Sequence, residues 1–235
     1  MLLLGGDVHT GIVRQIVDEF GNVLFVVDDA HSELTRAIRE AILGGEFVAS
    51  QRLVEADLTE RFGASRAAVR LALVNLANEG LVERLPNRGA RVRAISVEEA
   101  IEIVEVRLGL EALCARKAAE QLGEEEAVEL RALRAEIEGA VASGDLVAYS
   151  ALIQALDRRI REYSGHVTAA ALLERLHAQS ARHQFRLAFA PGRASTSLVQ
   201  HLAIIDAVLA RDPDGADRAT REHLDDVAAI LHTLE

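Results

Sequence analysis

A chain of 235 residues, half of them hydrophobic, is long enough for two ordinary domains and apolar enough to bury a core in each. The lone cysteine, Cys114, excludes an internal disulfide and suits a reducing cytoplasm. No apolar run approaches a membrane span, and Met-Leu-Leu-Leu lacks the basic flank of a signal peptide, so a cytoplasmic protein without a membrane partner is expected. The net charge of −11 argues against nucleic acid until its distribution is read. Between positions 61 and 93, Arg61, Arg66, Arg70, Arg84, Arg88, Arg91 and Arg93 stand against only Glu79 and Glu83. A basic segment inside an acidic chain is what phosphate binding needs.

Residues 1–30 carry no functional signal; Phe20–Val27 could be a short strand after a turn, or part of an accessory arm. From Ser32, Leu34, Ile38 and Ile42 recur at helical spacing and Gly44-Gly45 ends the run. Glu55–Phe62 predicts a second short helix anchored by Leu58. After the turn at Gly63-Ala64, Ser65 is an N-cap for a third helix reaching Asn78, with Val69, Leu71, Leu73, Val74 and Leu76 as its apolar positions. Leu81–Leu85 and Ala90–Arg93 flank Pro86-Asn87-Arg88-Gly89 and read as a hairpin. Three helices followed by a hairpin is the layout of a winged helix-turn-helix, expected over 31–95.

Beyond Ser96 strand signals stop. Ser96 and Glu99 have the spacing of a capping box that opens a long helix to about Leu122. Further helices are expected over 124–142, 145–163, 167–189, 195–211 and 213–233, separated by Gly-, Ser- and Pro-containing breaks. The fold class is therefore mostly α: a winged helix-turn-helix, then an all-α bundle over 96–235.

The third helix opens with Ser65, Arg66, Ala67, Ala68, Val69 and Arg70. In a helix-turn-helix this end meets base edges in the major groove of double-stranded DNA. Arg66 and Arg70, four apart, share a face and can bond guanine edges or clamp phosphates. Arg88 and Gly89 at the hairpin tip fit a wing that touches the backbone. Ser65, Arg66, Ala67, Ala68, Arg70, Arg88 and Gly89 are the candidate DNA contacts.

Over Leu34–Ala90 the chain resembles the N-terminal domain of the GntR family of bacterial regulators. The matching pieces are Ala37–Ile42 with Gly45, Arg52–Leu58, Phe62–Arg70, Leu76–Val82 and Pro86–Ala90. The resemblance implies a homodimer on a short palindromic operator. Two departures stand out: Ala49-Ser50 replaces the usual Pro-Gly, read as a loop change of little consequence, and Ala56 occupies a position where some members carry a DNA-contacting arginine.

Ile103–Glu111 resembles the opening helix of the FadR-type ligand-binding domain. That likeness implies that Arg107 meets the carboxylate of a small organic-acid effector; Arg107, Glu111 and His183 are its expected contacts. By physics alone, Arg107 and Glu111 are also a plain i,i+4 pair. The family's divalent metal is held by an aspartate, a histidine four residues on, and two histidines of the final helices. His201 and His223 match the last two, but the first pair falls on Ile153 and Asp157. Asp157, His201 and His223 remain as a candidate set for zinc, nickel, manganese or iron, with His183 or His166 as a replacement ligand. The alternative is a pocket that binds its effector without metal. A ligand-modulated DNA-binding regulator, a repressor by the family's habit, is the expected function. A metal-dependent hydrolase lacks a nucleophile motif or phosphate loop, and a helical interaction module leaves the basic segment unexplained.

Overall fold

The computed structural model describes residues 14–17, 23–26, 29–85, 88–188 and 192–234. It divides into two compact units, with the division between Ala94 and Ile95. Of residues 1–30, two strands are described, β1 (Arg14–Val17) and β2 (Val23–Val26), paired antiparallel with Arg14 opposite Val26. The strand read into Phe20–Val27 is thus β2; Phe20–Asn22 and Val27 lie outside the described residues.

In the first unit, α1 (Asp29–Leu43), α2 (Glu55–Phe62) and α3 (Arg66–Asn78) bury Leu34, Ile38, Leu58, Val69, Leu73 and Leu76 in a common core. Ser65 caps α3 as its spacing predicts, its Oγ accepting from the Ala68 amide at 3.2 Å. The α2–α3 turn runs through Gly63, whose φ of 62° is left-handed. β4 (Val82–Leu85) and β5 (Gly89–Val92) form the expected hairpin. A further strand, β3 (Arg52–Leu53), pairs with β5 and gives a sheet of order β3-β5-β4; two residues are too few for alternation to reveal.

The second unit is all-helical over its described residues: α4 (Val97–Gln121), α5 (Glu124–Ser143), α6 (Leu146–Tyr163), α7 (Val167–Ala188), α8 (Arg193–Leu209) and α9 (Pro213–Leu231). Ser96 Oγ accepts from the Glu99 amide at 3.2 Å and starts α4. Along α4 the small residues Ala112, Ala115, Ala118 and Ala119 are wholly buried, and α9 packs against this helix. The Arg193–Asp226 ion pair ties α8 to α9. Among the described residues no helix is long and apolar enough to cross a membrane.

Two backbone positions change the reading of the first unit. Ser50, where the resembled family has glycine, sits at φ 64°, a region that disfavours side chains. The loop change therefore carries a conformational cost. Gly89 sits at φ 82°, and a Cβ there would lie 2.5 Å from the Leu53 carbonyl oxygen. Packing of the wing on β3 requires glycine at this position, whatever the wing contacts. Ser50→Gly is expected to stabilise the first unit by about 1 kcal/mol. Gly89→Ala is expected to destabilise it by roughly 1–3 kcal/mol. Urea unfolding curves of both variants beside the parent check the two signs.

Candidate nucleic-acid interface and effector cavity

The first turn of α3 divides cleanly by exposure. Arg66, Ala67 and Arg70 are exposed, whereas Ala68 and Val69 are buried against the core. Ala68, one of the expected DNA contacts, is thus corrected to a core position: its side chain faces inward and its amide is spent on the Ser65 cap. Arg70 Nε bonds Glu55 Oε2 at 2.7 Å, with the arginine side chain 65% exposed. An exposed pair of this kind is worth at most about 1 kcal/mol, so Arg70 is readily released to a phosphate or a base. Arg88 is exposed beside the wing tip, and its carbonyl accepts from Arg52 Nε at 3.1 Å. Arg61 lies over the Phe47 and Phe62 rings and pairs with Glu46.

One residue of this face escaped the sequence reading. Leu71, expected in the core, is 40% exposed beside Arg70. Periodicity could have found it, since Leu71 follows Arg70 on the side opposite Val69 and Leu73.

In the second unit, Arg107 and Glu111 are both largely buried on α4 and bonded Nε to Oε1 at 2.8 Å. His177 Nε2 from α7 lies 2.9 Å from the same Glu111 oxygen. Burial alone would raise the Glu111 carboxyl, but the charge of Arg107 and the contact with His177 outweigh it and hold it well below the carboxylate range. A small cavity of about 30 Å³ lies beside this network. Its polar lining comes from Glu111, Cys114, Asp157, Arg161, His201, Thr220 and His223, its apolar lining from Ala115, Leu156, Ile160 and Ile204.

The expected site residues are therefore brought together only in part. Glu111, Asp157, His201 and His223 share the cavity, but Arg107 and His183 are not among its lining residues. Arg107 is taken up by Glu111, and His183 places Nε2 2.9 Å from the Ile95 carbonyl oxygen. His166, considered as a replacement ligand, instead accepts the Ala169 amide on Nδ1 at 3.2 Å and caps α7. His177 and Arg161 were missed. His177 stands alone in an apolar pattern, and Arg161 is one of several arginines at the end of α6, so neither is distinctive in sequence.

The histidines are set as hydrogen-bond acceptors. His201 Nδ1 donates to the Ser197 carbonyl at 2.8 Å, and Tyr149 Oη lies 3.3 Å from the same nitrogen. His223 Nδ1 donates to Gln200 Oε1 at 2.9 Å. Each ring then keeps an Nε2 lone pair. Burial lowers both imidazoles below their ordinary range, His223 furthest, since His201 and two arginines add to the effect. Two oriented imidazoles are half of a metal site. The other half does not assemble: Ile153 packs against the apolar core, and among the described residues no three His, Cys, Asp or Glu side chains converge as a metal-holding group.

A winged helix-turn-helix with an exposed arginine pair, together with a helical unit that holds a small cavity of mixed lining, defines a DNA-binding transcriptional regulator. The model described as "Bacterial regulatory proteins, gntR family" matches residues 30–92, and the FCD domain model matches residues 102–226. The chain belongs to the GntR family, in its FadR-type, FCD-containing branch. It is 31% identical over 233 residues to the HTH-type transcriptional repressor NanR of Enterobacter sp. (strain 638), covering 88% of this chain and 85% of that one. It is 26% identical over 204 residues to the repressor RspR of Escherichia coli (strain K12), covering 87% and 90%. Escherichia coli McbR/YncC shares the fold with a TM-score of 0.75 at 21% identity, covering 87% and 97%. A GntR regulator from Rhodococcus sp. RHA1 gives 0.72 at 20% identity, covering 88% and 99%. These relatives are regulators, and the hydrolase reading is set aside.

A pH dependence follows from the buried imidazoles. Unfolded histidine takes up its proton near 6.5, whereas His201 and His223 do so lower in the folded protein. As pH falls below about 6.5 the unfolded state binds more protons, and stability drops by up to about 1.4 kcal/mol per pH unit for each ring. Glu111, shifted the other way, contributes stability that is lost only further into acid. Thermal unfolding from about pH 7.5 to 5.5 should therefore show a falling melting temperature, with a shallower slope in His223→Gln; equal slopes in the two proteins would refute the assignment.

Proposed function

We propose that the protein is an operator-specific repressor that acts as a homodimer on a palindromic site and is released by a small carboxylate bound in the helical unit. The observation that carries the DNA half is the exposed pair Arg66 and Arg70 on the first turn of α3, backed by a Ser65-capped helix end. Free amides and the positive end of the helix dipole favour phosphate there, and each guanidinium can bond a guanine edge in bidentate fashion. Leu71 adds an apolar contact suited to a thymine methyl group. Arg88 and the neighbouring Arg52 supply sequence-independent charge to the backbone. Ala56 offers no guanidinium from α2, so readout rests on α3 more heavily than in members that carry arginine at that position.

The effector half rests on the cavity of the second unit, which combines the Arg161 guanidinium, the Glu111 and Asp157 carboxylates, two neutral imidazoles and an apolar wall. Such a mixture binds a small polar acid rather than a long apolar chain. Effector binding would act by shifting the population between operator-competent and operator-incompetent dimers. The names of the relatives, transcriptional repressors in several cases, support the sign of regulation.

The test is capture of fragmented source DNA across a salt titration, with parent and an Arg66→Ala, Arg70→Ala double variant in parallel. Palindromic fragments should survive moderate salt with the parent. The variant should bind them at least roughly tenfold more weakly, the loss of one bidentate contact being about 1–3 kcal/mol. Equal, salt-labile retention by both proteins would reduce the interaction to phosphate attraction and end the readout claim.

A further inference from the structure

We propose that Arg161 is the anion anchor of the cavity, so that the effector carboxylate is bound by this arginine without a metal and without Arg107. The proposal rests on reading the second unit as an effector domain.

Three observations lead to it. Arg161 lines the cavity, and its Nη1 is buried with no hydrogen-bond partner among the described residues. A buried guanidinium nitrogen left without an acceptor is unfavourable, and a ligand oxygen is the partner that such a group calls for. Next, the nearby carboxylates do not serve. Asp157, one turn earlier on α6, makes its ion contact with His177 Nδ1 at 3.9 Å, and Glu111 is engaged by Arg107 and His177. Last, Arg107 is 5% exposed, is bonded to Glu111 and does not line the cavity, so a ligand could recruit it only by breaking a buried ion pair. Burial pushes the Cys114 thiol up; the Ser164 hydroxyl opposes this most, and the Arg161 charge acts in the same sense to a smaller degree.

The remaining lining sets the chemistry of the ligand. His201 and His223 are neutral and use Nδ1 on protein acceptors, so their Nε2 atoms accept hydrogen bonds from the ligand. A carboxylate on Arg161 with a hydroxyl donating to an imidazole satisfies both kinds of group. The ligand class is therefore a small hydroxycarboxylate. Fork-like pairing of guanidinium with carboxylate favours arginine over lysine for this task.

The experiment measures thermal stabilisation of the chelator-treated full-length protein by formate, acetate, lactate, succinate and gluconate. Sodium chloride at matched ionic strength is the control, and Arg161→Gln and Arg161→Lys are run beside the parent. Carboxylates, lactate or gluconate foremost, should stabilise the parent. They should bind Arg161→Gln roughly tenfold or more weakly, and Arg161→Lys at an intermediate level. Circular dichroism of Arg161→Gln without ligand checks that the variant folds. Equal carboxylate response in parent and Arg161→Gln would overturn the assignment while leaving the effector reading standing. Response that appears only after a divalent metal is added back would overturn the metal-free mode. No response of the parent to any of the five acids would overturn both the anchor and the ligand class. DNA capture by the parent without carboxylate, run beside the melts, separates these outcomes from failure of the DNA reader.

Discussion

The Arg107–Glu111 ion pair is the constraint on which the second unit turns. Two opposite charges on successive turns of α4 are buried together, and neither is tolerable alone in an apolar core. Removing one partner of such a pair costs roughly 3–5 kcal/mol, whereas the assembled pair adds little net stability. Its importance is therefore organisational. Because Glu111 takes Arg107 on one side and approaches His177 on the other, it fixes α7 to α4 and leaves its carboxylate as the cavity's negative wall. The cationic wall must then come from a different helix, and α6 supplies it.

The first unit works on the opposite economy of charge. Its core is largely apolar, with Thr35 the polar residue among its buried ones, and the arginines Arg70 and Arg91 are exposed and held by weak, breakable pairs, Arg70–Glu55 and Arg91–Glu83. A surface pair is screened by salt and strained by the entropy of two long side chains, so it holds arginine near the surface without competing seriously with a polyanion. Burial of Ala68 and Val69 beside exposed Arg66, Ala67 and Arg70 shows how a helix of 13 residues divides between anchoring and reading. The overall acidity of the chain does not oppose this role, because the relevant basic residues are concentrated in one short segment.

Much of this architecture was legible in the residues. The helices of the second unit fall within a few residues of the breaks marked by Gly123, Ser143-Gly144, Ser164-Gly165 and Asp212-Pro213, since those residues stop helices for local reasons. Ser65 and Ser96 cap as their spacing predicts for the same local reason. What was not legible is non-local. Strand β3 exists because two residues find β5 some forty positions later, and Leu71 is exposed because the core has no room on that side of α3. His183, expected as an effector contact, instead places its ring nitrogen on the backbone carbonyl of Ile95 and is not among the cavity's lining residues. Arg161 was one arginine among many until the folded chain left its Nη1 buried without an acceptor.

The two departures from the family's metal-binding pattern make physical sense together. Ile153 packs into the apolar core of the bundle, where a carboxylate without a metal would be a buried, uncompensated charge. Asp157 replaces a neutral imidazole with a carboxylate, and His177 is the cationic-capable group that stands nearest to it. The two histidines that match the family retain their oriented Nδ1–H contacts, which cost nothing to keep and leave acceptors on the cavity wall. Neutral acceptors alone attract donors, not acids. A site built from them can bind a carboxylate only if a positive group stands nearby, and a guanidinium meets that need without the ligand geometry a divalent ion demands. The departures at Ile153 and Asp157 and the partnerless Nη1 of Arg161 among the described residues are thus one chemical arrangement, in which a fixed organic cation does the work of charge neutralisation at the cavity wall.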